Sequence, residues 1–335
     1  MGNVNPSVAI CIPTFNQAQF IGEAIRSAME QEYQPIEIWI SDDGSTDDTA
    51  AVVKNFDGSP TQVHYFKQPK NVGIARNNNW VLSQPSTEYI VRLDSDDVLE
   101  KEYVASLLEL LGAYRRAGYA HSAVREIDQF GNSRRVRRLF RVSPFEDADS
   151  ALRKSSKGYQ VAANICMYRT RVLREANFYR NMDCAEDWDL SVRIADAGWG
   201  NAYSPAILAR YRVWNDDKNT RMRRKKKELI GIESVFQDSL FVAFEKRGWS
   251  TKPPRKAMRK FALAHADCLS WKFFSKDEKR EMQSILYRLG GSSGVVAVKC
   301  WMVQHGLSSV FRAERNLVTF AKDRTKAVVS LLRSA

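Results

Sequence analysis

The sequence predicts an α/β fold built on a mainly parallel central sheet with flanking helices, and three observations carry that prediction. Continuous apolar runs of strand length recur through the first hundred residues. Segments of helical period separate them, which implies right-handed crossovers and a sheet covered on both faces. Three of the runs end in short polar turns, at the edge where ligands gather in such sheets.

The elements follow in order. Residues 8–12 form the first strand, closed by Pro13, and Phe20, Ile21, Ala24, Ile25 and Ala28 recur behind it at helical spacing. Residues 36–40 form the second strand, which Asp42-Asp43-Gly44-Ser45 ends. Ser45 or Thr46 can cap the next helix, which carries Thr49, Val52 and Val53. A strand over 63–66, a helix over 73–83 and a strand over 89–93 complete the alternating part. Further on, a helix is expected over 101–117, and a hairpin pairing 120–127 with the arginine-rich 134–142. Residues 185–195 read as a helix with an acidic first turn, an inner face of Trp188, Leu190 and Ile194, and a C-cap at Gly198. Tyr203 and residues 207–213 return to the sheet.

Beyond residue 213 the pattern changes to a basic run, 218–227, followed by Leu229, Ile232, Phe236, Leu240 and Phe244 at helical spacing. Pro253-Pro254 reads as a break, with amphipathic helices over 255–275 and 276–335. The expected organisation is a catalytic domain over 1–215 and a basic, mostly helical domain over 216–335. Charge divides at nearly the same place: residues 1–220 carry a net −3 and residues 221–335 a net +15.

Composition narrows the class. The 335 residues are 44% hydrophobic and 27% charged, as in folded globular chains. No apolar run approaches the roughly 18 residues that span a bilayer, and residues 1–6 lack the basic start and apolar core of a signal peptide. A cytoplasmic home is therefore expected. Five scattered cysteines, never in a C-x-x-C pair, argue against a disulfide framework or a structural zinc site. Four of the five sit among apolar or small neighbours, where cysteine behaves as a buried hydrophobe.

The strand over 89–93 runs into Asp94-Ser95-Asp96-Asp97. Three carboxylates so close repel one another. A hard divalent cation relieves that repulsion, and magnesium commonly takes further oxygens from a substrate phosphate. The competing reading is an Asp/Ser turn that caps the helix expected from Lys101.

Taken together, residues 8–16, Asp42-Asp43-Gly44-Ser45, Asn71-Val72-Gly73-Ile74-Ala75-Arg76-Asn77, Asp94-Ser95-Asp96-Asp97 and Glu186-Asp187 resemble the inverting glycosyltransferase family 2 over roughly the first 215 residues. The resemblance implies a GT-A, Rossmann-like domain. Such a domain moves a sugar from a nucleoside-diphosphate donor, UDP- or dTDP-type, to a hydroxyl of a glycan or lipid-linked acceptor, as in bacterial surface polysaccharide synthesis. It assigns Pro13, Thr14, Phe15 and Asp43 to the nucleotide base, with Asp42 contributing and Phe15 stacking. Arg76 is placed near the nucleotide; a cation in the first turn of a helix gains nothing from the dipole, so a phosphate partner suits it. Asp94 and Ser95 are assigned to the ribose side. Asp96, with Asp94, is assigned to a divalent cation, Mg²⁺ or Mn²⁺. Asp187 matches the general base of a single displacement, with Glu186 orienting the acceptor or the base. Plain alternatives remain for each: a core aromatic at Phe15, capping turns at Asp42 and Asp43, a surface arginine at Arg76, and acids favouring a helix N-terminus at 186–187.

One departure stands out. Many relatives carry a histidine in a Tyr-Arg-x-His stretch after the last strand. Here Tyr211-Arg212-Val213-Trp214 puts tryptophan in its place, which offers a donor and a face but no metal ligand. Metal binding then rests more on Asp96, with Arg212 or Arg221 as phosphate contacts.

The basic last third admits three readings. Contact with an anionic membrane through helices carrying Trp249, Trp271 and Trp301 beside lysines is preferred, peripheral on the inner face of the cell membrane. A solvated surface stands close behind. Nucleic acid is third, because no binding motif accompanies the charge. Two other functions compete with the transferase: a non-enzymatic basic interaction protein on a nucleotide-binding scaffold, and a sugar-nucleotide-forming nucleotidyltransferase. The second would need a Gly-rich start with a basic residue, which Pro13-Thr14-Phe15-Asn16 lacks.

Overall fold

The apolar runs become central strands because residues on both of their faces can be buried. In the computed structural model, which describes residues 5–214, 219–291 and 293–307, Val8 to Ile12 are all buried. The boundary expected near residue 216 and the helix expected beyond residue 307 lie outside the described residues.

The strands are β1 (Val8–Thr14), β2 (Ile36–Asp42), β3 (Gln62–Lys67), β4 (Tyr89–Arg92), β5 (Val98–Leu99), β6 (Ala117–Ile127), β7 (Ser133–Arg137), β8 (Phe145–Glu146), β9 (Cys166–Arg169) and β10 (Gly200–Arg212). They form one sheet in the order β3-β2-β1-β4-β9-β6-β10-β5, with β7 beside β6 and β8 beside β10. Six of the eight strands on that path run the same way; β9 and β5 oppose them. The sheet is mainly parallel, as expected. The carboxyl ends of β1, β2, β4, β6 and β10 share one edge.

Helices α1 (Ile21–Met29), α2 (Thr49–Lys54), α3 (Ile74–Ser83), α4 (Tyr103–Ala113), α5 (Ala148–Ser155), α6 (Thr170–Glu175) and α7 (Glu186–Asp196) flank the sheet. One face packs α1 and α4 against Ile10, Ile12, Ile38 and Ile40. The other packs α3, α6 and α7 against Ala9, Cys11, Ile90 and Tyr168. Gly198, at φ +91°, follows α7 and donates its N–H to the Ala195 carbonyl, the expected termination.

After β10 come α8 (Thr220–Arg223), α9 (Lys225–Ser234), a π-helical turn (Val235–Leu240), α10 (Phe241–Lys246), α11 (Lys252–His265), α12 (Lys276–Gly290) and α13 (Gly294–Gln304). Leu229, Ile232, Phe236, Leu240 and Phe244 are buried, as their spacing predicts. Their core is shared with the first part of the chain, because it takes in Leu152 of α5 and Trp188, Val192 and Ala195 of α7. Helix α7 is thus a wedge between two cores. Leu190 and Ile194 face the sheet, and Trp188 and Val192 face the later helices.

Four local expectations fail for identifiable reasons. Pro253 and Pro254 do not break the chain; they lie in the first turn of α11, where missing N–H groups cost nothing. The helix expected to Ala117 stops at Ala113, since Ala117 already begins β6. Neither Ser45 nor Thr46 caps α2. Asp47 instead accepts the Thr49 N–H at 3.1 Å, and Ser45 is used between loops. The acidic turn is not a helix cap either, because β5 intervenes between it and α4.

Candidate active site

Three turns converge at the carboxyl edge of β1, β2 and β4. The turns after β1 and β2 are tied together: the Asn16 N–H donates to Ser45 Oγ at 2.8 Å, and the Thr46 N–H to Asn16 Oδ1 at 2.8 Å. Gly44, at φ +78°, passes so close to the β3–α3 loop that a Cβ would lie 3.0 Å from Asn71 N and Lys70 C. Asp42 is fully buried. Its carboxylate accepts the Ser45 N–H at 2.7 Å and the Tyr65 hydroxyl at 2.7 Å. Asp43 accepts the Val72 and Gly73 N–H groups at 2.7 and 3.0 Å, holding the loop that leads into α3. Both aspartates therefore already have backbone partners. Thr14 is buried with its hydroxyl unpartnered, Pro13 is half-buried, and Phe15 is exposed beyond them. Arg76 is exposed in the first turn of α3 and makes no hydrogen bond or ion pair among the described residues.

The acidic turn sits at the end of β4. Ser95 and Asp97 are buried, Asp94 and Asp96 half-buried. Burial and the charge of Asp94 raise the Asp96 carboxyl above its ordinary range. Burial and both neighbouring aspartates raise Asp97 further. The Arg212 N–H donates to Asp97 Oδ1 at 2.7 Å, while the buried Oδ2 has no partner. The Trp214 indole donates to Asp96 Oδ2 at 2.7 Å and packs edge-on against Phe20. Hard carboxylate oxygens held close together are the donor set a divalent cation fits. Among the described residues no three His, Cys, Asp or Glu side chains are arranged to hold a metal.

Arg212 is not available for phosphate. Its buried guanidinium donates to the carbonyls of Asp96 and Asp128 and to Glu23, and lies over the Phe20 ring. Arg221 instead lines the cavity described next.

Glu186 and Asp187 open α7 and face a cavity of about 530 Å³, also lined by Tyr159, Asn164, Tyr211, Arg221, Arg224 and His265. The residue before them, Ala185, is left-handed at φ +66°, a conformation that L side chains seldom adopt. Gly231 of α9 packs directly on the Cys184 carbonyl, where a Cβ would collide. The turn that presents this acid pair is therefore braced by the later helices. So is Asp189, fully buried one turn along, which accepts from Arg193 at 2.7 Å and from Ser239 of the π-helical turn at 2.5 Å.

The residue that sequence reasoning missed is Arg92. Its alternation in β4 reads as an ordinary strand position, yet it is buried. Its guanidinium meets Asp187 Oδ1 at 2.5 Å and Asp94 Oδ1 at 2.8 Å. One buried cation thus joins the acidic turn to the acid pair on α7. Burial raises the Asp187 carboxyl, and Arg92 opposes the rise. Glu186 is pushed up to about 7, first by burial and then by the Asp187 charge. A charged residue within an apolar run was the available signal.

The profile of Glycosyl transferase family 2 matches residues 9–176. A GalNAc(5)-diNAcBac-PP-undecaprenol beta-1,3-glucosyltransferase of Campylobacter jejuni is 36% identical over 117 residues, 35% of this chain and 37% of that protein. A chondroitin synthase of Escherichia coli is 34% identical over 127 residues, 38% of this chain and 18% of that protein. The chain thus spans well under half the length of the curated relatives it matches. Residues 1–349 of S. aureus TarS, solved in complex with UDP-GlcNAc, superpose with a TM-score of 0.70 at 14% identity over 92% of both chains. The mannosyltransferase PcManGT of Pyrobaculum calidifontis, solved with GDP-Man and Mn²⁺, gives 0.56 at 17% identity over 95% of this chain and 84% of its own.

Proposed function

The chain belongs to glycosyl transferase family 2, and from that premise we propose that it is an inverting glycosyltransferase with Asp187 as general base. The donor in this reading is a nucleoside-diphosphate sugar, UDP- or dTDP-type, and the acceptor a hydroxyl of a glycan or lipid-linked glycan in bacterial surface polysaccharide synthesis. The single observation that supports it is the Arg92 bridge, with Asp187 on one side and Asp94 on the other. It sets a buried carboxylate that faces an open cavity beside the carboxylates of the acidic turn. A single displacement needs both: a group to take the acceptor proton and a site for the leaving diphosphate.

In this reading the nucleotide lies along the tied turns, on Pro13, Thr14 and Phe15, with Asp42 and Asp43 shaping the pocket and Arg76 facing the diphosphate. The unpartnered Thr14 hydroxyl and the exposed Phe15 ring and Arg76 side chain favour that placement. Asp94 and Ser95 meet the ribose side. Asp96, with Asp94, would hold Mg²⁺ or Mn²⁺, and the chemistry a cation supplies when bound is charge neutralisation on the departing nucleoside diphosphate. Trp214 fixes one oxygen of Asp96 and leaves the other for that role. The acceptor hydroxyl enters the cavity beside Glu186, and Asp187 takes its proton as the new bond forms.

A second assignment within the same reaction has its own support. Glu186, at about 7, is matched to proton transfer near neutral pH. Thermal shift with a panel of nucleotide sugars, with and without Mg²⁺ or Mn²⁺, tests the donor site. A transferase is stabilised by at least one donor and releases its nucleoside diphosphate with acceptor. Failure of every donor and every nucleoside diphosphate to stabilise the protein sinks the reading.

A further inference from the structure

Residues 128–142 carry five arginines against one aspartate, a net +4. The arginines divide by what they touch. Arg135 and Arg137 clamp Glu126 of β6, and Arg137 also lies over the ring of Tyr211 at 4.6 Å. Arg141 is turned inward, donating to Asn201 Oδ1 at 2.6 Å and approaching Glu146 at 3.7 Å. Arg138 is exposed and makes no ion pair or hydrogen bond among the described residues. Arg135 stays largely in solvent despite its partner.

The apolar residues do the opposite of what folding asks of them. Phe140 and Val142 are wholly exposed, and Phe130 at the hairpin tip is nearly so. Residues 140 and 142 flank the inward Arg141, and both are exposed on either side of it. The buried guanidinium pins the loop, and the loop holds two apolar side chains out of the fold among cations.

From this we infer that the segment 134–142 is a docking surface for an anionic bilayer. Aromatic and aliphatic side chains enter the headgroup–acyl boundary, and arginines beside them meet lipid phosphates. Charge complementarity selects that occupant over a neutral apolar partner. The tryptophans of the later helices are poorer candidates. Trp249 and Trp271 are partly buried against the helical core, and only Trp301 is largely exposed. No helix among the described residues is long and apolar enough to cross a membrane. Location adds a use. Tyr211, under Arg137, lines the cavity that Glu186 and Asp187 face, so the surface adjoins the mouth through which an acceptor would enter. That use, delivery of a lipid-linked acceptor, rests on the transferase reading; the binding itself does not.

The test is co-sedimentation of the full chain with vesicles of phosphatidylcholine alone or of equal parts phosphatidylcholine and phosphatidylglycerol. Binding is expected only to the second, falling as salt is raised. Each arginine near an anionic surface is worth about fivefold in partitioning, so Arg138→Glu should lower it about tenfold or more. The pair Phe140→Ser and Val142→Ser should lower it comparably. Neither should alter the far-ultraviolet circular dichroism or donor-induced thermal shift. Absence of binding by the wild type, or equal binding by the wild type and both variants, overturns the proposal. So does a wild-type dimer in sedimentation that the apolar variant abolishes while vesicle binding persists, which would assign the patch to a second copy. Loss of donor-induced stabilisation with vesicle binding intact would overturn the transferase reading alone.

Discussion

The two walls of the site are held by different physics. On the side proposed for the nucleotide, polar groups are satisfied locally: Asp42, Asp43, Asn16 and Ser45 bind backbone N–H groups of the three adjoining turns. On the side proposed for the acceptor, the state of Glu186 and Asp187 depends on residues far along the chain. Arg92 comes from β4, 95 residues earlier, and the turn that presents the acids is braced by Gly231 of α9. The first wall resembles a mould and the second a poised charge system. Substitutions on the first should cost shape and donor affinity, whereas substitutions on the second should change rate and pH dependence.

The largest effect is expected at Asp187. Asp187→Asn removes the proposed proton acceptor and keeps the side-chain volume, so turnover should fall by about 10²–10⁴. Isothermal titration with donor should give an unchanged affinity. Donor binding lost in parallel with turnover would move Asp187 to the nucleotide wall. Next is Arg92. Arg92→Met strands the buried Asp187 charge, and breaking such a pair typically costs about 3–5 kcal/mol. Urea denaturation should show that loss, and combining Arg92→Met with Asp187→Asn should recover part of it. Strict additivity would mean the pair is not coupled.

A smaller effect is expected on the first wall. Asp43→Ala leaves the Val72 and Gly73 N–H groups without their partner, at about 1–3 kcal/mol. Donor KM should rise because the loop before α3 and Arg76 loosens, while the pH profile keeps its shape. A shifted profile would erase the distinction between the walls.

The first wall was legible in the sequence and much of the second was not. Turns after parallel strands fall on one edge by topology alone, so Pro13-Thr14-Phe15, Asp42-Asp43 and Asp94–Asp97 could be gathered from spacing. Glu186-Asp187 was legible as an acidic helix start. Arg92 was not, because strand alternation says which face a side chain takes and nothing of the charge 95 residues away that meets it. Arg212 looked like a phosphate ligand and is instead spent on carbonyls and Glu23, since only the fold brings α1 beneath β10. The dependence of α7 on the later helices was hidden for the same reason. Helical period marked Trp188 as inward without saying that two cores would share the helix.

Glu186 offers the finest discrimination, through pH. Its carboxyl lies at about 7 against an ordinary 4.5, raised by burial first and by the Asp187 charge second. The folded protein therefore binds a proton between these values that the unfolded chain has released. By linkage, that contribution to stability is complete below about 4.5 and is lost as pH rises through about 7. Glu186→Gln should flatten this part of the stability–pH curve, read from denaturation midpoints across the window. In turnover, an ionised Glu186 that orients the acceptor gives a rate rising through about 7, and the same substitution should remove that limb at a cost of only a few-fold above it. Asp187→Asn supplies the control, because deleting its charge removes one of the two causes and should lower the Glu186 ionisation, followed by carboxyl ¹³C resonances. An unmoved Glu186 would mean that burial alone holds it, and the acceptor wall would then be two independent acids rather than one coupled system.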